Sequence, residues 1–221
     1  MVVPMARLSK SREAQRIAAI FDRFAEAAAD PRTELVYRSP YTLLVSVVLS
    51  AQATDVSVNR ATARLFEVAD TPAAVLALGE AKLIPFIAQI GLFRTKARNV
   101  IALSRLLIER HGGEVPLDRA ALEALPGVGR KTASVVLNEL GAEAAIAVDT
   151  HVFRVAHRLG LSKGKTPHEV ETDLMRIVPP LRRTRAHHWL ILHGRYVCVA
   201  RKPKCAECVV GDLCPSRELF L

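Results

Sequence analysis

The chain has 221 residues, half of them hydrophobic and 24% charged, which excludes a disordered polymer and supplies a core for one large or two small domains. Lysine and arginine total 31 against 22 acidic residues, a net charge of +9 that favours a polyanionic partner over an acidic or neutral one. No apolar run approaches the roughly 20 residues of a membrane span.

The most apolar stretch, 41–51, is interrupted by Thr42, Ser46 and Ser50 and reads as a buried core helix. Residues 1–10 carry no apolar leader segment, so the expectation is a soluble protein of the cytoplasm. Helical periodicity runs almost throughout. A first helix over 12–29 sets Ile17, Phe21, Phe24 and Ala28 on one face and ends at Asp30-Pro31. Helices follow over 41–52, 55–69, 72–78, 80–88 and 94–111, parted at Thr54-Asp55, Thr71-Pro72, Gly79, Gly91 and Gly112-Gly113. Thr71-Pro72 has the form of an N-cap followed by proline at the first helical position. Later helices are predicted over 118–123, 129–140, 149–159, 167–178 and 183–197. Residues 144–148 come nearest to a strand and are too few for a useful one. With no flexible linker, the pattern predicts an all-α fold in two lobes, with more than one crossing between them.

One constellation is Leu122-Glu-Ala-Leu-Pro-Gly-Val-Gly-Arg-Lys-Thr-Ala133. A short helix ends at Leu125-Pro126. Gly127 and Gly129 permit a tight turn around Val128, and a new helix begins. Its first amides lack intrahelical partners and, with the helix dipole, suit a phosphate; Arg130 and Thr132 stand beside them. This is the form of a helix-hairpin-helix, which grips a nucleic-acid backbone without reading sequence. The dipole and Arg130 both disfavour an ammonium at Lys131, which favours a nucleophilic amine there. A plain phosphate-binding lysine is the simpler alternative.

Val148-Asp-Thr-His-Val-Phe-Arg-Val155 is the next. Asp149 suits an N-cap. The preceding helix is about 18 Å long, and the connection 141–148 reaches about 26 Å if extended. The chain can therefore return to the Lys131 end, where a carboxylate would orient the amine and stabilise a developing cation. His151 either contacts a phosphate or supports the helix start.

All four cysteines lie late, as Cys198-x6-Cys205-x2-Cys208-x5-Cys214. Four clustered thiols in an intracellular chain point to a metal centre, and the spacing alone admits zinc or an iron–sulfur cluster. Metal at both ends would stiffen the loop carrying Arg201, Lys202 and Lys204 into a phosphate contact. These cations close a stretch, 176–204, that contains no acidic residue; a merely solvated basic face is the alternative. Gln52, at a helix end, is an amide suited to a vacated base position or an ordinary polar terminus. Leu92, after Gly91, suits a wedge between bases or a core contact.

Taken together and in order, these segments resemble the endonuclease III family of DNA glycosylase/AP lyases. The resemblance covers roughly residues 11–215. It rests on Leu49-Ser-Ala-Gln-Ala-Thr-Asp55, Leu125-Pro-Gly-Val-Gly-Arg-Lys-Thr-Ala133, Ala147-Val-Asp-Thr-His151, His187-His-Trp-Leu-Ile-Leu-His-Gly-Arg195 and the four-cysteine loop. It implies a helix-hairpin-helix glycosylase fold, with a six-helix lobe over 32–145 and a cluster lobe joining 1–31 to 146–221. It also implies a [4Fe–4S] cluster on Cys198, Cys205, Cys208 and Cys214, Lys131 as catalytic lysine and Asp149 as catalytic aspartate. Gln52 and Leu92 would enter the gap left by an extruded nucleotide. The expected partner is double-stranded DNA holding damaged pyrimidines or AP sites, and the expected state a monomer.

Two other classes fit parts of the pattern. Adenine glycosylases acting on mismatches share the fold and cluster but lack a lysine at the position of Lys131 and carry a further C-terminal domain. A non-enzymatic iron–sulfur protein that binds DNA or transfers electrons would need neither Lys131 nor Asp149.

Overall fold

The computed structural model describes residues 10–221; the N-terminal tail, to which the sequence assigns no role, and the expectation about a leader segment there lie outside the described residues. Among the described residues there are ten α-helices and no strand, and no helix is long and apolar enough to cross a membrane. The chain divides into two compact units, one spanning Thr33–Ala145 and one joining the described residues up to Arg32 with Ile146–Leu221.

The Thr33–Ala145 unit is built around α2 (Pro40–Ser50). Ser39 caps this helix in a reciprocal arrangement with Thr42, and Pro40 stands where no amide donor is needed. Tyr41 through Leu49 are all buried, as the stretch predicts for a helix apolar on every side. Two of its buried polar side chains find partners: the Tyr41 hydroxyl meets Ser104 Oγ at 2.6 Å, Ser104 in turn donating to Val100 O, and the Thr42 hydroxyl donates to Ser39 O at 2.9 Å, whereas Ser46 Oγ has none. Around it lie α3 (Asp55–Leu65), α4 (Pro72–Ile87), α5 (Phe93–His111), α6 (Arg119–Glu123) and α7 (Arg130–Glu139). Thr71 caps α4, with Pro72 following, as the pair predicts. Gly79 takes φ 75° and interrupts α4 at the break the sequence marks between two helices. Leu43, Leu65, Leu103 and Leu107 are fully buried, each contributing about 1.5–3 kcal/mol.

The other unit holds α1 (Lys10–Ala27), α8 (Thr150–Arg158), α9 (Pro167–Ile177) and α10 (Arg183–Tyr196). Ile20, Phe21 and Phe24 of α1 are buried in one cluster with Val152, Val155 and Leu190. The Trp189 indole donates to Ala28 O at 2.7 Å and ties α10 to the end of α1. A Cβ on Gly194 would lie 2.9 Å from His151 Cβ and 3.1 Å from Val155 Cγ2, so glycine lets α8 and α10 touch. After α10 the chain makes short 3-10 turns over Cys205–Glu207, Gly211–Leu213 and Arg217–Leu219. Residues 144–148 form no strand.

Candidate functional site

The hairpin between α6 and α7 depends on Gly127. Its φ is 81°, and a Cβ there would lie 2.8 Å from Asn99 Nδ2, so both backbone and space require glycine. Gly129 differs: it caps α7 at φ −97° without a side-chain bond, and a Cβ would meet nothing within 4 Å. Glycine at 129 is therefore not demanded by the protein, which suits a surface that a partner's backbone approaches closely. Arg130 and Lys131 are exposed and Thr132 half-buried in the first turn of α7. Val128 departs from the expected contact. Its side chain is 5% exposed in the core and its N–H donates to Leu125 O, so it braces the turn and presents little to a ligand.

Gln52 and Leu92 occupy adjacent turns of the same unit. A Cβ on Gly91 would lie 3.8 Å from Gln52 O. Both residues are exposed, Leu92 by 61%, which removes the core reading of that leucine. Among the described residues, the non-glycine positions in left-handed backbone are Gln52, Leu92 and Lys202, with φ 55°, 59° and 53°. Such backbone costs about 1–3 kcal/mol and persists where surroundings impose it. All three are positions that the sequence singles out for nucleic-acid contact.

Asp149 caps α8, its Oδ1 accepting from the amides of His151 and Val152 at 2.8 Å each. The carboxylate is thus oriented by its own helix. His151 packs against Gly194, and its Nδ1 lies 3.3 Å from Arg154 Nη2. Arg201, Lys202 and Lys204 are exposed on the loop between the first two cysteines, closed by Lys204 N–H donating to Val197 O at 3.0 Å.

Residues 45–180 match the model of the HhH-GPD superfamily of base excision DNA repair proteins, and residues 198–214 match the iron-sulfur binding domain of endonuclease III. The chain is 55% identical to endonuclease III of Escherichia coli over 199 residues, 90% of this chain and 94% of that one. It is 55% identical to endonuclease III of Treponema pallidum over 207 residues, 94% of this chain and 98% of that one. A solved structure described as a trapped endonuclease III–DNA covalent intermediate superposes with a TM-score of 0.88. Its identity is 45%, covering 93% of this chain and 97% of that one. The chain belongs to the endonuclease III family. It is a DNA glycosylase and AP lyase of base excision repair with a [4Fe–4S] cluster.

The thiols fit that cluster. Cys198, Cys205, Cys208 and Cys214 are unpaired, half-buried and line one pocket of about 360 Å³, part of it continuous with solvent. Among the described residues no three His, Cys, Asp or Glu side chains close on a single-ion position. Burial pushes the Cys208 and Cys214 thiols up, and the neighbouring cysteines push the same way. Cationic iron held by these four sulfurs would reverse that balance and keep them as thiolates.

Several residues that the sequence did not mark also build the two units' functional elements. Arg158 donates to Val199 O at 2.8 Å and Ala200 O at 3.0 Å, lies 3.5 Å from Cys198 Sγ and stacks on Phe220 at 4.3 Å. Arg154 donates to Cys198 O and Gly194 O. Arg16 donates to Leu159 O and Leu213 O while pairing with Glu13. In the other unit Arg119 joins α6 to α7 through Ser134 Oγ at 3.0 Å and pairs with Glu143 at 2.8 Å. Their available signal was weak: Arg154 and Arg158 stand four apart on α8, and nothing local gives their carbonyl partners.

Proposed function

We propose that this chain removes oxidised pyrimidines from double-stranded DNA and cleaves the resulting AP site by β-elimination, with Lys131 as nucleophile and Asp149 as its assisting carboxylate. The observation that carries this reading is the exposed Lys131 in the first turn of α7, directly behind a glycine turn whose helix start has no side-chain cap. The trapped covalent complex of the structural relative supports a covalent step.

The duplex is held through its phosphates by the first amides of α7 with Gly127, Gly129, Arg130 and Thr132, by the start of α8 with His151, and by Arg201, Lys202 and Lys204. The damaged pyrimidine leaves the stack, and Gln52 and Leu92 fill the vacated space. The neutral Lys131 amine attacks C1′. The bond from C1′ to the base breaks, and the base departs with a proton. The sugar ring opens as nitrogen and C1′ form a protonated Schiff base. Loss of a 2′ proton then expels the 3′ phosphate and nicks the strand. Asp149, fixed by its capping bonds, stabilises the developing positive charge and handles protons. The cluster, when bound, supplies the rigid frame of the 198–214 loop. The protein acts as a monomer on DNA in the bacterial cytoplasm.

Borohydride trapping on a duplex with one oxidised pyrimidine tests this, with Lys131→Gln as control. A covalent complex in wild type alone is expected, with AP-site binding retained by the variant. A wild-type lyase rate in Lys131→Gln overturns the assignment.

A further inference from the structure

Lys96 is buried to 4% exposure in α5, and the mechanism above does not use it. Two physical effects oppose an ammonium there. It lies near the N-terminal end of α5, where the dipole is positive, and burial drives its pKa down. A leucine or methionine would fill the same space at less cost. What the ammonium gains is specific. Its Nζ donates to Leu49 O at 2.9 Å, in the last turn of α2, where carbonyls lack intrahelical partners and the dipole is negative.

The two ends of this bond matter because of what lies beside them. Leu49 precedes the turn of Gln52. The Lys96 backbone N–H donates at 3.0 Å to the carbonyl of Leu92 itself. That bond is the first regular bond of α5 and any residue there makes it; what the Lys96 side chain adds is a tie from this start of α5, beside Leu92, to the end of the helix leading to Gln52. Both turns it joins are left-handed, and they lie side by side at Gly91 and Gln52.

We propose that Lys96 is a positioning residue that locks the Gln52 and Leu92 turns into one rigid wedge, so that both side chains reach the gap in the duplex at a fixed separation. This rests on the role given above to Gln52 and Leu92. The lock serves recognition of a vacated position. It does not serve the general grip on phosphate, which belongs to the hairpin and the cationic loop.

Lys96→Met keeps the length and burial and removes the donor. Two duplexes are compared, one undamaged and one with a stable abasic analogue opposite 2-aminopurine, whose fluorescence reports insertion. Lys96→Met is expected to bind the abasic duplex about tenfold more weakly, with a reduced fluorescence change, and to bind the undamaged duplex within about twofold of wild type. In a Gln52→Ala/Leu92→Ala background the same change should add nothing, since the lock would have no wedge to hold. Equal losses on both duplexes, or a full additional loss in that background, overturns the proposal and leaves Lys96 as a stabilising residue only. Should Lys96→Met fail to fold, Lys96→Gln, which retains a donor of shorter reach, carries the same comparison. If Gln52→Ala/Leu92→Ala by itself leaves abasic binding unchanged, the gap-filling reading is what has failed.

Discussion

The hairpin and the cysteine loop, the two grips of the proposed DNA contact, both carry exposed cations but are held in shape differently. The hairpin belongs to a unit with a deep leucine-rich core, and its turn is fixed by Gly127 against Asn99 and by Arg119 bracing α6 to α7. The loop over 198–214 has short 3-10 turns, and its shape comes from arginines donating to carbonyls around four thiols. One grip is preorganised by packing and the other by polar ties and metal, so they should fail under different insults.

Asp149 gives the largest expected effect because it caps α8 and, in the proposed reaction, also assists Lys131. Asparagine caps a helix as well as aspartate does, so Asp149→Asn should preserve the melting temperature while slowing turnover about 10²–10⁴-fold. Asp149→Ala should add a loss of about 1 kcal/mol in stability. A near-normal rate for Asp149→Asn would leave only the capping role. Next, Cys208→Ser should abolish the visible iron–sulfur absorbance and weaken binding to undamaged duplex at least about tenfold, since the loop loses its frame. Unchanged affinity in the metal-free variant would break the contrast between the two grips. On the hairpin side, Gly127→Ala should cost about 1–3 kcal/mol in urea denaturation, partly recovered by Asn99→Ala. Gly129→Ala should stay within about 0.5 kcal/mol of wild type yet lose DNA affinity. Replacing Lys202 with alanine should lower the slope of log affinity against log salt by about 0.9 without altering which lesion is cut.

The smallest effect is a pH dependence. The Arg16 guanidinium beside Glu13 holds that carboxyl below the usual carboxylate range. A depressed native pKa means stability present at neutral pH and lost as pH falls through the native value. The pair is partly exposed, so the contribution is below about 1 kcal/mol. Glu13→Gln should therefore show a slightly flatter fall in urea midpoint below the ordinary glutamate value of about pH 4.3, and no difference in slope above it.

The helices were readable because their punctuation is local: Thr71-Pro72, Gly79 and Gly112 each act on their own turn. Gly127 and the cap at Asp149 were readable for the same reason. The burial of Lys96 was not, since a lysine in an amphipathic helix looks solvent-facing until the end of α2 is packed beside it. Nor were Arg154 and Arg158, whose carbonyl partners lie 40 to 44 positions further along the chain. The left-handed backbone of Gln52, Leu92 and Lys202 was hidden too, because none is the glycine or asparagine that usually announces it.

The placement of α1 has a consequence for synthesis. Its apolar face, Ile20, Phe21 and Phe24, is covered by helices that follow residue 146, and Arg16 waits for Leu213. At ribosomal rates of about 5–20 residues per second, that face leaves the exit tunnel roughly 10–40 s before its partners exist. Meanwhile Thr33–Ala145 emerges as one uninterrupted run with its own core. The nascent chain therefore assembles from the middle outward, and its first helix is among the last to dock.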